Sequence, residues 1–299
     1  MRTPAPLPAG RGGRSFTSED ARLSGVSASR LRARDLHHPF HAVHTFRPPE
    51  DVLARCRAYL HVMPADAYFS HQTAAALLGI PLPPGIVQGI LHVAVEHPRT
   101  PPRARGVVGH SLRSVEGAVT DGLRISAPAH IWCQLSGVLD REDLVAAGDH
   151  LVGARGREAL VTHDVLAALA DELHRTKGSR SRTWALRRIR YGTDSRPESL
   201  LRLLLEECGV SGIAVNAPVP VDGGRLVLHP DLTVARHRIA LEYEGDGHRV
   251  DQRQWHLDIE RRELLEREGW RVVRVTARDL FHERAAFVTR LRRFVPNVE

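Results

Sequence analysis

The sequence predicts a mixed α/β chain with α+β parts, divided into more than one unit. Three observations predict it. At 299 residues the chain exceeds the roughly 100 to 200 residues that one domain takes. Its apolar residues switch repeatedly between helical and strand periodicity. Its 42% hydrophobic and 26% charged residues are the proportions of a folded globular protein rather than a disordered one. The net charge is +7, and Lys177 is the only lysine, so the basic surface is arginine. Guanidinium forks match phosphate oxygens and guanine edges, although charge alone does not separate nucleic-acid contact from simple solubility. Cys56, Cys133 and Cys208 lie far apart without CxxC spacing, so buried thiols are expected rather than a disulfide framework or a zinc site. No apolar run reaches about 18 residues, and the N-terminus lacks an apolar signal core, which predicts no membrane span, no signal peptide and a cytoplasmic location.

Residues 1–14, rich in Pro, Gly and Arg, are expected to be a disordered tail. Thr17-Ser18-Glu19-Asp20 reads as a helix N-cap with an acid at N3, opening a helix through Leu23. Gly25 ends it, and Ser27 caps a second helix through Leu31. Ala21, Gly25 and Leu31 stand where a helix-turn-helix needs a small residue, a turn glycine and a packing residue, with Arg30, Arg32 and Arg34 on or after the second helix as DNA contacts. A strand over Phe40 to Phe46 would be its wing, followed by a helix from Glu50 to about Leu60. Ser70-His71-Gln72-Thr73 is expected to cap a helix over Ala74 to Leu78 that stops at Gly79. Residues 15–80 thus read as a winged-helix-like region. From Ser15 to about Gly153 the chain resembles the N-terminal region of AbiEi-like antitoxin proteins, in which a winged helix precedes a phrase like Phe69-Ser70-His71-Gln72-Thr73-Ala74-Ala75. That resemblance leaves a toxin partner open, and the oligomeric state is not legible in the sequence.

Residues 81–174 read as a small α+β connecting unit, with strands over Ile90 to Val95 and Arg105 to His110, helices near Pro128 to Leu139 and Arg141 to Leu151, and a helical segment from Val161. His92, His97, His110 and His130 show no metal-ligand spacing and are assigned no chemistry. Residues 175–195 read as a basic linker broken at Gly178-Ser179, with Arg180 and Arg182 as further phosphate contacts.

The segment 196–299 follows the order helix, strand, strand, strand, helix, strand, which builds a restriction-endonuclease-like three-layer core. Arg196-Pro197-Glu198 opens the first helix and Gly209 closes it. Strands are expected near Gly212 to Pro218, Leu226 to Leu228, Asp231 to Val234 and Ile239 to Tyr243. With Arg236-His237 as a two-residue hairpin loop, facing residue numbers sum to 473, so Asp231 lies opposite Glu242. Strand alternation adds Glu244 to that face and sends Leu232, Val234, Ile239, Leu241 and Tyr243 to the other. Three neighbouring carboxylates repel unless a cation neutralises them, and hard Mg²⁺ or Mn²⁺ prefers such oxygens. A bound ion of that kind supports phosphodiester hydrolysis. Gly245 and Gly247 relax the backbone beside the acids, and His248 is placed to act as proton shuttle or phosphate ligand.

Pro230-Asp231 followed by Leu241-Glu242-Tyr243-Glu244-Gly245-Asp246-Gly247-His248 resembles the PD-(D/E)XK signature in the variant carried by domains related to very short patch repair endonucleases. Asp258-Ile259-Glu260-Arg261-Arg262-Glu263-Leu264-Leu265 and Gly269-Trp270-Arg271-Val272-Val273-Arg274-Val275 extend it, so that it covers about Arg196 to Phe294. The resemblance implies a Mg²⁺- or Mn²⁺-dependent DNA endonuclease or nickase with Asp231, Glu242 and Glu244 as catalytic metal ligands, Glu198 as a further catalytic ligand, and Asp258 and Arg261 in support. One departure stands out, because the signature lysine, two residues after Glu242, is Glu244. That favours the alternative, a DNA-binding antitoxin or transcriptional regulator with a catalytically weak nuclease-like domain.

Overall fold

A computed structural model describes Leu7 and residues 15–87, 89–113, 116–245 and 252–295, except for the side chains of residues 252–256. The chain divides between Val138 and Leu139 into two compact units, whereas the sequence reading places borders near residues 80, 174 and 195. No helix among the described residues is long and apolar enough to cross a membrane.

In the first unit, β1 (Phe16–Thr17) leads into α1 (Ser18–Leu23) through the predicted cap. The Thr17 hydroxyl accepts the Asp20 N–H at 3.0 Å, and the Asp20 carboxylate accepts the Thr17 N–H at 3.1 Å. Gly25 takes a φ of 75°, a left-handed turn that a side chain would resist, and Ser27 caps α2 (Ala28–Leu31). Ala21, Val26 and Leu31 pack with Phe16 and Leu36 in a small core, which explains their spacing in the sequence. The expected single strand over 40–46 is instead the hairpin of β2 (His37–Phe40) and β3 (Val43–Thr45), turning at Ala42 with a φ of 59°. With β1 these strands form a sheet in the order β1-β3-β2.

Asp51 caps α3 (Val52–Tyr59), and β4 (Tyr68–Phe69) runs directly into α4 (His71–Leu77). Then come β5 (Leu91–Glu96), β6 (Val107–Leu112), β7 (Gly117–Thr120), β8 (Leu123–Ser126) and α5 (Pro128–Leu135). The five strands form a mixed sheet in the order β6-β5-β4-β8-β7, parallel between β5 and β6 and between β4 and β8. Phe69, Val93, Ile125, Ile131, Trp132 and Leu135 are fully or almost fully buried.

The second unit begins with α6 (Arg141–Leu151), α7 (His163–Glu172) and α8 (Ser179–Leu186), followed by α9 (Arg196–Glu207). The segment read as a basic linker therefore carries a helix, and its position follows from two buried polar networks. Arg182, 1% exposed, donates to the carbonyls of Leu173 at 2.6 Å and Lys177 at 2.9 Å and to the Thr176 hydroxyl at 2.8 Å, satisfying groups that the end of α7 would otherwise leave open. Asp149 on α6 accepts from Arg202 of α9 at 2.9 Å, from Ser199 at 2.7 Å and from the Arg190 N–H at 2.7 Å. Both carboxylate and guanidinium are almost fully buried, so α6 and α9 dock through matched charge.

After α9, closed at Gly209 with a φ of 79°, come β9 (Ile213–Val215), β10 (Val219–Val221), β11 (Leu226–Leu228), β12 (Leu232–Val234) and β13 (Ile239–Glu244). The chain ends in α10 (Gln252–Arg267), β14 (Arg271–Thr276) and α11 (Arg284–Leu291). The main sheet has the order β14-β13-β12-β9, antiparallel except for the β13–β14 pair, and β10 and β11 form a separate hairpin. One face buries Leu232, Val234, Ile239, Leu241, Val273 and Val275 against the leucines of α9 and against Phe287 and Leu291 of α11. The other face carries Ala240, packed with Leu265 of α10 and with Val219 and Val221 of the small hairpin.

Candidate functional site

Leu232 pairs with Leu241, Thr233 with Ala240 and Val234 with Ile239, which is the 473 register. The turn is not the expected two-residue loop; it is a 3-10 turn over Ala235–His237 closed by Arg238 at a φ of 48°. Because residue parity is the same, the register survives over the three residue pairs of the ladder, and Asp231 sits just before its first pair. Its carboxylate accepts the Tyr243 N–H at 2.7 Å, and its carbonyl accepts the Asn216 N–H at 3.0 Å.

Asp231 and Glu242 are poorly solvated carboxylates. Burial pushes the Asp231 carboxyl up to about 7, with the negative charges of Glu198 and Glu242 adding to the rise against the Tyr243 hydrogen bond. Burial likewise raises Glu242, opposed by Arg261 and reinforced by Asp258 and Glu244. Arg261 of α10 reaches Glu242 at 3.0 Å, close enough for an ion pair but not aligned as a hydrogen bond, while its other nitrogen donates to the His229 carbonyl. Glu244 pairs with Arg274 of β14. Glu198, 6% exposed, sits at the start of α9, where it accepts from the Ser195 hydroxyl at 2.7 Å and the Asp194 N–H at 3.0 Å. Burial raises its carboxyl as well.

The structure draws Asp231, Glu242, Glu198, Arg261 and Asp258 into one neighbourhood. Glu244 lies on the same strand face, in contact with Arg274. His248 lies outside the described residues. Sequence reasoning missed Asn216, whose side chain donates to the Gly192 carbonyl at 2.8 Å and to Asp194 at 3.2 Å and lies 3.4 Å from Glu198. A φ of 46° at Asn216, a conformation asparagine tolerates, is the one local signal it offered. It also missed His229, whose ring hydrogen-bonds to the Asn216 carbonyl at 2.9 Å.

Of the arginines expected to contact DNA, Arg32, Arg34 and Arg180 are exposed. Arg30 is locked in a bidentate pair with Asp35 at 2.8 Å. Arg182 is no phosphate contact, because its guanidinium is buried at the end of α7. The histidine reading also changes. His92 and His110, which were given no chemistry, gather with His71, each offering a ring nitrogen within 4.8 Å of the others. Among the described residues these three are the group of acids, cysteines and histidines that lies close enough to hold a metal ion; Asp231 and the glutamates of β13 are not so tightly drawn together.

No family model matches the chain, and no curated protein matches it.

Proposed function

We propose that this chain is a metal-dependent DNA endonuclease or nickase, with the described acids as its reaction centre and its N-terminal region as a DNA-binding element. The observation that carries the reading is the Tyr243 N–H bond that sets Asp231 beside Glu242, two partly buried carboxylates both raised by burial, Asp231 further by the charge of Glu242. The reading takes α9, the four-stranded sheet and α10 as a restriction-endonuclease-like core, and α1, α2 and the β2–β3 hairpin as a winged helix-turn-helix.

The oxygen chemistry of these donors suits a hard divalent cation, which would have to draw the carboxylates closer together than they now lie. Asp231, Glu242 and Glu244 would hold Mg²⁺ or Mn²⁺, with Glu198 as a further carboxylate; once bound, the ion would polarise the scissile phosphate and lower the pKa of the attacking water. Arg261 neutralises Glu242 until a cation takes over that charge. On the same helix, Asp258 adds negative charge near Glu242. The Tyr243 N–H orients Asp231. Arg274 of β14, paired with the Glu244 that occupies the signature lysine position, offers a cation to an approaching phosphate oxygen.

A second reading is a DNA-binding regulator of antitoxin type. It is favoured by Glu244 at the lysine position and by its engagement with Arg274.

Supercoiled plasmid incubated with the full-length protein and Mg²⁺ or Mn²⁺ tests the two. Nicking by the wild type and none by Asp231→Ala is the expected result. Salt-sensitive DNA binding without cutting under either metal would leave the regulator reading standing and remove the enzyme.

A further inference from the structure

A second site, in the first unit, is built from three histidines on separate elements. His92 on β5 and His110 on β6 lie on one face of the parallel pair, because His92 is paired with Val108 and His110 with Ala94. Their rings meet with His92 Nδ1 3.0 Å from His110 Nε2. His71, the first residue of α4, stacks on His110 with ring centroids 3.8 Å apart.

His71 is held there at a cost. Its φ is 48°, a left-handed conformation that is strained outside glycine and persists only where the surroundings impose it. Its N–H donates to the Gln134 side chain of α5 at 2.8 Å, and Gln134 is itself anchored on Ser126 at 3.1 Å. Ser70 stands at the N-cap of α4 but makes no capping bond; its hydroxyl lies 3.0 Å from His71 Nδ1 and leaves Nε2 for another partner. The Ser70 N–H donates to the His92 carbonyl at 2.9 Å, and the His92 N–H donates to the Thr73 hydroxyl at 2.8 Å. Four hydrogen bonds therefore fix the two segments that present His71 and His92. Burial lowers all three imidazoles, His71 to about 3 and His110 to about 4, so each is neutral near pH 7.

We infer that His71, His92 and His110 form a binding site for a zinc-class divalent ion, with water completing the coordination. Neutral imidazole nitrogens suit Zn²⁺ and its borderline neighbours and not the Mg²⁺ of an all-oxygen site. Three protein ligands with a fourth position open is a known zinc arrangement, and the half-exposed His92 and His110 leave that position to solvent. Ligand nitrogens around a tetrahedral ion at 2.0 to 2.1 Å lie about 3.3 Å apart. The His92–His110 pair is already near that separation, and the His71 ligand nitrogen lies within 4.8 Å of both. The proton shared between His92 and His110 moves to the far nitrogen of its own ring, so both lone pairs face the metal. Ser70 serves as the outer hydrogen-bond partner that orients His71.

The test is metal content. Full-length, tag-free protein is loaded with Zn²⁺, dialysed and analysed by mass spectrometry, with Co²⁺ absorption reporting the ligand field. One equivalent retained by the wild type and by Asp231→Asn is expected. His92→Asn and His110→Asn should lose it, and Ser70→Ala should weaken binding roughly 10- to 100-fold. Circular dichroism of each variant establishes that it is folded, and Ser70→Ala keeps all three ligands should a histidine variant unfold. A wild type that retains no zinc, or folded histidine variants that retain it fully, would overturn the site. Loss only in Asp231→Asn would move the metal to the acidic centre and overturn it as well.

Discussion

A carboxyl pushed up to about 7 carries opposite consequences for stability and for metal binding, and Asp231 shows both. Its folded value lies above its unfolded value of 3.8, so between those limits the folded state holds more protons and stability falls as pH rises. Above pH 7 the penalty is complete. Asp231→Asn keeps an oxygen to accept the Tyr243 N–H but has no charge to bury. In metal-free buffer the variant should therefore melt higher than the wild type at pH 8 and lose that advantage below pH 4. A cation competes with the same proton, so Mg²⁺ should raise the wild-type melting temperature increasingly as pH passes about 7, and should not raise that of Asp231→Asn. Thermal melts with and without Mg²⁺ from below pH 4 to pH 8 check both. A variant less stable than wild type at pH 8 without metal would contradict the burial argument.

Among the elements, α6 and α9 show how much depends on pairing that sequence patterns do not carry. Asp149→Ala strands Arg202 with Glu206 as its remaining carboxylate and should cost about 3 kcal/mol in urea denaturation, whereas Asp149→Asn, which keeps acceptors for Ser199 and the Arg190 N–H, should cost less. Equal losses in the two variants would show that packing rather than hydrogen bonding dominates there. The same contrast separates what was legible from what was not. Capping by Thr17 and Ser27, the Gly209 stop and the 473 register depend on neighbours in sequence, and each follows from local chemistry. The two-residue β4 has no periodicity to find. Arg182 reads as one more exposed cation until α7 and α8 pack and its guanidinium meets three oxygens at once. The histidine cluster needs the parallel pairing of β5 with β6, and no spacing within either strand announces it. Asn216 joins Glu198 and Asp231 only because β9 lies beside β12.

Across the whole molecule, the surplus of arginine can meet DNA only where guanidinium groups reach solvent, whereas Arg182 and Arg202 are spent inside the fold. Arg32→Ala, Arg34→Ala and Arg180→Ala should each weaken DNA binding to a similar degree across unrelated sequences and lower the salt slope by about 0.9. Arg182→Ala should instead lower the melting temperature. Fluorescence anisotropy on two unrelated duplexes at several salt concentrations checks this, and an unchanged slope in all three exposed variants would remove the proposed basic contacts. The division of the chain at Val138 also bears on any attempt to isolate the acidic site. A fragment beginning at Arg196, the first residue of α9, would contain Arg202 and Ser199 but not Asp149. It would leave the Arg202 guanidinium with Glu206 alone, where the intact chain adds the buried pair with Asp149. The smallest piece able to carry the acids with its own foundation begins at Leu139, so α6, α7 and α8 are the footing of the site rather than the tether to it.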